Sequence, residues 1–305
     1  MSVLSSVFDF LDSLVGAARP VVPVVRLQGV IGAGSGPMQS GLSLATVAGS
    51  LEAAFNMKGA KAVALAINSP GGSPVQSALI YKRIRALAEE KNLRVYAFAE
   101  DVAASGGYMI ACAADEIYAD ESSILGSIGV VSAGFGFPDL LKKVGVERRV
   151  YTSGENKSIL DPFQPERSED VERLKALQSD VHENFKDLVR KSRGAKLKTD
   201  DPELFSGAFW AGKQSVERGL ADGIGDLRSI MRRNFGDEIK LKLVGGGRSW
   251  FRLPFGRSQL PGATHVTGYE SGHEMAPFSG INGQTMWAGL MDALEARFHW
   301  NRFGL

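Results

Sequence analysis

The chain has 305 residues, 44% of them hydrophobic and 23% charged. That is enough for one large globular domain or two modest ones. The net charge of +1 excludes a global field that would favour nucleic acid or an anionic membrane. The single cysteine, Cys112, excludes an intrachain disulfide and a Cys-based metal cluster. Its apolar neighbours, Met109 to Ala114, mark it as a small core residue rather than a catalytic thiol.

Residues 1–20 form an N-terminal segment with Leu4, Val7, Phe8, Leu11, Leu14 and Val15 at helical spacing. They lack the positive start of a signal peptide, and Asp9 and Asp12 interrupt the apolar stretch. The stripe fits docking on the body, on another subunit or at a membrane surface. No apolar run reaches the ~20 residues that span a bilayer. The expected location is therefore cytoplasmic or peripheral to a membrane.

Residues 21–244 read as an α/β body. Val24 to Ile31 is a strand interrupted at Gly29, followed by a Gly/Ser-rich loop and a helix over Leu44 to Met57. Lys61 to Ile67 is a buried strand ending in the loop Asn68-Ser69-Pro70-Gly71-Gly72. Val75 to Glu90 is a helix and Arg94 to Ala99 a second buried strand. The run from Asp101 to Ala114 opens on Val-Ala-Ala-Ser-Gly-Gly and continues as an apolar helix. Glu116 to Ala119 and Ile128 to Ser132 read as strands, Leu140 to Val144 as helix, and Glu147 to Thr152 as extended chain. Ser168 to Ser192 is a long polar helix. Strands and helices alternating at this spacing imply βαβ crossovers. Residues 245–305 read as an appendage that opens on three glycines. It is partly disordered by composition and ends in an amphipathic helix over Trp287 to Trp300.

Chemistry concentrates at glycine-rich turns. Ser69-Pro70-Gly71-Gly72 lies between a strand and a helix, where glycine frees backbone N–H groups to face a developing oxyanion. Ala104-Ser105-Gly106-Gly107 repeats that placement and adds a serine on a rigid corner, the logic of a nucleophile elbow without its G-x-S-x-G signature. Gly126-Ser127-Ile128-Gly129 is the third such element. A serine nucleophile needs a base. None of His182, His265, His273 and His299 lies in a glycine-rich loop of the α/β body, although a spatial triad stays open. A lysine held neutral by burial serves equally, and Lys157 in Gly154-Glu155-Asn156-Lys157 is one candidate among many surface lysines.

Together these motifs resemble the signal peptide peptidase A-like serine peptidases. The ordered set is Ser-Pro-Gly-Gly at 69–72, Ala-Ala-Ser-Gly-Gly-Tyr at 103–108, Gly-Ser-Ile-Gly-Val at 126–130 and Gly-Glu-Asn-Lys at 154–157. Asp161-Pro162-Phe163, Phe209-Trp210-Ala211-Gly212 and the run Gly219 to Gly225 are similar to the family's downstream landmarks. Met109 and Asn156 stand where the family often has aromatics. The resemblance implies a ClpP/crotonase-like fold of stacked ββα units, with residues 21–244 as the peptidase domain. It implies Ser105 as nucleophile, Lys157 as general base, Ser127 as the hydroxyl that orients the lysine, and the N–H groups of Gly72 and Gly106 as the oxyanion hole. It also implies a homo-oligomer whose sites combine serine and lysine from neighbouring subunits, acting on peptides or proteins, particularly apolar segments such as remnant signal peptides. No cofactor or metal is implied, and no nucleic-acid partner. Two other readings remain: a non-catalytic assembly protein on the same fold, and a crotonase-type acyl-CoA enzyme. The second would need carboxylates near the turns, where Glu100 and Asp101 are the nearest.

Overall fold

A computed structural model describes residues 20–32, 41–198, 202–245 and 300–303. The amphipathic stripe of residues 1–19 and almost all of the appendage, including the expected helix up to Trp300, lie outside the described residues.

Eight strands form one sheet: β1 (Val21–Gln28), β2 (Ala62–Ser69), β3 (Arg94–Ala104), β4 (Glu116–Ala119), β5 (Ile124–Gly126), β6 (Phe209–Ala211), β7 (Gly223–Ile224) and β8 (Lys240–Val244). The main path runs β6-β5-β3-β2-β1-β8, with β4 on β3 and β7 on β4. Every pairing is parallel except β5 with β6. All eight residues of β2 are buried, as expected of a parallel strand covered on both faces.

Strand β3 forks. Its first half, Tyr96 to Ala99, pairs with β4, and its end, Val102 to Ala104, pairs with β5. The break falls at Glu100-Asp101, two charged residues between the runs Val95 to Ala99 and Val102 to Ala104. Glu100 binds Arg26 at 3.0 Å. Asp101 accepts a 2.6 Å hydrogen bond from the Asn68 amide, and Asn68 Oδ1 accepts from Val102 N–H. The β2–β3 register shifts at the same level, between Ile67 and Ser69. Polar side chains thus fill the gap that the fork leaves in the ladder.

Helices α1 (Leu44–Phe55), α2 (Pro74–Lys91) and α3 (Gly106–Ala111) cover one face and enclose the larger core with Leu27, Leu65, Ile80, Ile84 and Ile110. Helix α2 starts on Ser73, whose hydroxyl accepts from Gln76 N–H, with Pro74 in its first turn. All of α3 is buried. Cys112 is buried as expected, and burial pushes its thiol up to about 12. The opposite face packs Tyr96, Phe98 and Tyr118 against Ile230 and Met231 of α6 (Leu227–Phe235).

One expectation is corrected. The strand expected at Ile128 to Ser132 lies earlier, at β5, because Gly126 and Ser127 both take positive φ and end the ladder. Glu147 to Thr152 joins no strand. It belongs to an exposed arm, residues 130–166, that includes α4 (Pro138–Val144), a helix with no buried residue.

The long helix α5 (Ser168–Arg193) is tied to the body at its C-terminal end. Arg193, buried, donates Nε to Gly219 O at 2.9 Å and Nη1 to Asp222 at 2.8 Å. Asp222 also accepts from Ile117 N–H and pairs with Lys196. Burial alone would raise the Asp222 carboxyl, but Arg193, the Ile117 N–H and Lys196 outweigh it and hold it below its ordinary value. Because the folded value is depressed, this stabilisation is complete above the unfolded value of about 3.9 and is lost as pH falls through the lower folded value. Arg193→Met should cost about 3–5 kcal/mol, read by denaturant unfolding at pH 7, and should flatten the acid side of the stability curve. A cost below about 1 kcal/mol would show that the pair carries little of the fold.

Candidate active site

The three glycine-rich turns meet. Strand β3 runs directly into α3 with Ser105 at the junction, at φ +51° and ψ −121°. A non-glycine residue there is strained. Neighbours hold it in place: Ser105 N–H donates to Gly126 O at 2.8 Å, and Ser105 O accepts from Met109 N–H at 2.9 Å. The residue is half-buried at the end of the sheet.

Ser69 to Gly72 passes immediately beside it. A Cβ at Gly71 would lie 2.7 Å from Ser105 Cβ. Ser69 fixes this turn by donating its hydroxyl to Gly29 O at 2.7 Å and accepting from Gly71 N–H at 3.2 Å. Gly71 O accepts from Ile31 N–H, and Ser73 N–H donates to Ile31 O, both at 2.7 Å. Gly72 is therefore the bridge residue, and its own N–H points away from Ile31. Gly106 opens α3, and a first-turn N–H has no intrahelical acceptor. Both proposed oxyanion donors thus belong to backbone that the surrounding bonds leave unused.

Ser127 lies in the third turn. The register pairs Ala104 with Gly126, so Ser105 and Ser127 leave adjacent strands side by side. Ser127 is buried at φ +52° and donates its N–H to Ala208 O at 2.7 Å. The structure therefore brings together Ser105, Ser127, Gly72 and Gly106.

Lys157 is placed elsewhere. It sits in a turn of the exposed arm, where its N–H donates to Gly154 O at 3.2 Å. Among the described residues no hydrogen bond or ion pair joins its ammonium to Ser105 or Ser127. His182 approaches from α5, with Nε2 3.0 Å from Ile128 O, so it is engaged with backbone beside Ser127. The other three histidines lie outside the described residues. No group of three or more His, Cys, Asp or Glu is placed to hold a metal among the described residues.

Sequence reasoning missed Ser69 and Ser77. Ser77 donates its hydroxyl to Ser73 O at 2.8 Å and packs under Gly106, where a Cβ would lie 2.4 Å from Ser77 Oγ. The available signal was weak: small hydroxyl residues flanking a Pro-Gly-Gly turn, one on each side.

A family model for peptidase family S49 matches residues 87–236. The Putative protease slr0021 of Synechocystis sp. is 32% identical over 234 residues, covering 74% of this chain and 83% of that protein. The Putative signal peptide peptidase SppA of Enterococcus faecium is 35% identical over 168 residues, covering 55% of this chain and 48% of that one. A Brucella abortus protein called Na(+)/H(+) antiporter NhaA is 55% identical over 290 residues, 95% of this chain but 38% of its own length. The chain thus spans well under half of that relative, most of which lies outside the match. Among the described residues no helix is long and apolar enough to cross a membrane.

The close approach of the turns is testable through stability. A Cβ at Gly72 would lie 2.1 Å from Ile31 O, at φ +137°, whereas Gly59, at φ +79°, faces open space. Gly59→Ala should cost about 1–3 kcal/mol from backbone strain. Gly72→Ala should cost clearly more in the same unfolding assay. Equal costs would mean that Ile31 does not approach Gly72 so closely.

Proposed function

The chain belongs to peptidase family S49, and on that premise we propose that it is a serine endopeptidase with a Ser105/Lys157 dyad. The observation that carries the reading is Ser105, held at positive φ on the strand-to-helix corner against Gly71. Strain of this kind persists only where surrounding structure imposes it, and it presents the hydroxyl on a fixed corner. In the proposed reaction Ser105 Oγ attacks the scissile carbonyl, and its proton passes to neutral Lys157. The N–H groups of Gly72 and Gly106 stabilise the oxyanion. The leaving amine takes the proton back from the lysine, and water then releases the acyl group by the same route.

Lys157 reaches the serine, in this reading, from a second copy of the chain. Its arm supports that. Val131, Phe135, Leu140, Val144, Tyr151 and Ile159 are all exposed there, Tyr151 at 91%. An arm that exposes this many large apolar side chains suits burial against a partner. A homo-oligomer would cover it and bring the lysine to the buried Ser127 hydroxyl of the neighbour. The substrates we assign are peptides or proteins, particularly apolar segments such as remnant signal peptides. The cytoplasmic or membrane-peripheral location belongs to the same proposal. An acyl-CoA enzyme is disfavoured, because Glu100 and Asp101 are held by Arg26 and Asn68.

Ser105→Ala should abolish both peptide hydrolysis and labelling by a fluorophosphonate probe. Lys157→Ala should lower hydrolysis by about three orders of magnitude or more, and the double variant should be no worse than Ser105→Ala alone. The two inactive variants, mixed and allowed to exchange subunits, should regain part of the activity. Near-normal turnover in Lys157→Ala would overturn the dyad, and a fully active monomer would overturn the shared site.

A further inference from the structure

Between Ile128 and Asp170 no residue of the chain is buried. The arm therefore has no apolar core of its own to hold its shape. Two side chains break the pattern, and both are carboxylates. The side chain of Asp161 is 4% exposed and that of Asp170 is 5% exposed. A carboxylate withdrawn from water is costly unless partners replace the hydration it gives up. Here each is held by an arginine. Arg148 Nη1 donates to Asp161 Oδ1 at 2.5 Å, and Phe163 N–H donates to the same oxygen at 3.0 Å. Arg167 donates Nε and Nη2 to Asp170, at 2.9 and 2.7 Å.

These pairs stand at the base of the loop that carries Lys157. Residues 155–160 are a run of turns. Leu160 ends the run at φ +53° and donates its N–H to Asp170 Oδ2 at 3.4 Å. Asp161 follows at once, while Arg148 precedes the loop, so the bond between them closes residues 149–160 into a ring. The clasp is braced on its outer side. The Arg148 guanidinium lies over the Phe163 ring, 4.7 Å from its centroid. Phe163 meets Phe137 with centroids 5.6 Å apart, and Phe137 N–H donates to Pro162 O at 2.6 Å. Asp161 Oδ2 is buried and accepts no hydrogen bond among the described residues. The carboxylate therefore depends on Arg148, and loss of the arginine would leave a buried charge uncompensated.

We propose that Arg148 and Asp161 are a positioning pair that fixes where Lys157 stands when the arm reaches a neighbouring Ser105, an inference that rests on Lys157 as the general base. The pair acts through distance and touches neither the substrate nor the serine. Lys157 lies four residues before Asp161. A chain advances at most ~3.6 Å per residue, so a fixed Asp161 confines the lysine backbone to within roughly 14 Å, and the turns shorten that range. With the clasp open the loop samples many positions, and ordering it again costs conformational entropy. A base displaced by about 1 Å loses about a hundredfold in rate.

The test measures kcat and KM on an apolar peptidyl-aminomethylcoumarin substrate for Arg148→Ala, Asp161→Ala and Asp161→Asn. Each alanine variant should lower kcat about a hundredfold and leave KM level. The double variant should be no worse than the worse single one, because the two side chains act as a unit. Asp161→Asn, whose amide oxygen still accepts from Arg148 and Phe163 N–H, should keep more of the rate. Size in solution and thermal unfolding should match the unaltered chain, since no core residue is touched. Subunit exchange then locates the defect. Asp161→Ala should regain activity when mixed with Ser105→Ala, which supplies an intact arm. Mixed with Lys157→Ala, it should not exceed the sum of the separate activities. Near-normal kcat in the alanine variants would overturn the positioning role, as would a loss that tracks dissociation or unfolding, or recovery with Lys157→Ala. If Ser105→Ala and Lys157→Ala fail to restore each other, the shared site falls and the kcat and KM pattern alone decides the role of the pair. Near-normal turnover in Lys157→Ala would overturn the dyad, and this inference with it.

Discussion

A Cβ at residue 71 would sit 2.7 Å from Ser105 Cβ, one at residue 107 would sit 2.6 Å from Ser69 O, and one at residue 72 would sit 2.1 Å from Ile31 O. These distances express one constraint: the ends of β1, β2 and β3 converge more closely than side chains permit. Most of the site follows from it. Convergence lets Ile31 bond on both sides of Gly72, which turns the Gly72 N–H outward. It also lets α3 start within the core, every residue buried, so that Ser105 is fixed by what lies beneath it. The fork in β3 serves the same end. By releasing β4 at Ala99 and taking up β5 at Val102, the strand places Gly126 where its carbonyl can hold Ser105 N–H.

The rest of the body keeps this convergence from relaxing. Tyr108, wholly buried in α3, donates its hydroxyl to Leu220 O at 2.9 Å. Ser192 near the end of α5 donates to Cys112 O at 2.6 Å, just past the end of α3. Arg193 and Asp222 close the same layer from the far side. The short helix behind the serine is thus tied to elements 112 and 80 residues away in sequence, and a shift in it would break both hydrogen bonds at once. Such bonds cost more to lose than they contribute when formed, because the abandoned partner stays buried.

The fold class was legible because parallel strands buried on both faces leave long apolar runs, and β2 and the first half of β3 stand out at once. The turns were legible because glycine-rich breaks after such runs have few other uses, although nothing in their spacing showed that the three lie together. What escaped had physical reasons. Strand β5 is three residues long, too short for any period to emerge, and Ile128 to Ser132 was the better pattern beside it. Strand β8 alternates Lys with Leu and Val, the mark of an exposed edge, and its place beside β1 is a long-range fact that no local window contains. The Ser105–Ser127 pairing followed from order along the chain only through the resemblance. The position of Lys157 was not legible, because nothing in Gly-Glu-Asn-Lys says whether the arm folds onto its own body.

The exposed arm bears on how such an enzyme would be made. Peptidases that act on apolar segments are hazardous while they fold, since every nascent chain exposes such segments. Many hydrolases meet this with a pro-segment that must be cut away. On the reading proposed above, this chain needs none. On that reading a newly folded monomer, with Ser105 on its corner and Lys157 on an exposed arm, would be inert by construction. Catalytic competence would then be a property of concentration, rising with a power of the protomer level and vanishing on dilution. The zymogen would be the lone subunit, and activation would be nothing more than encounter.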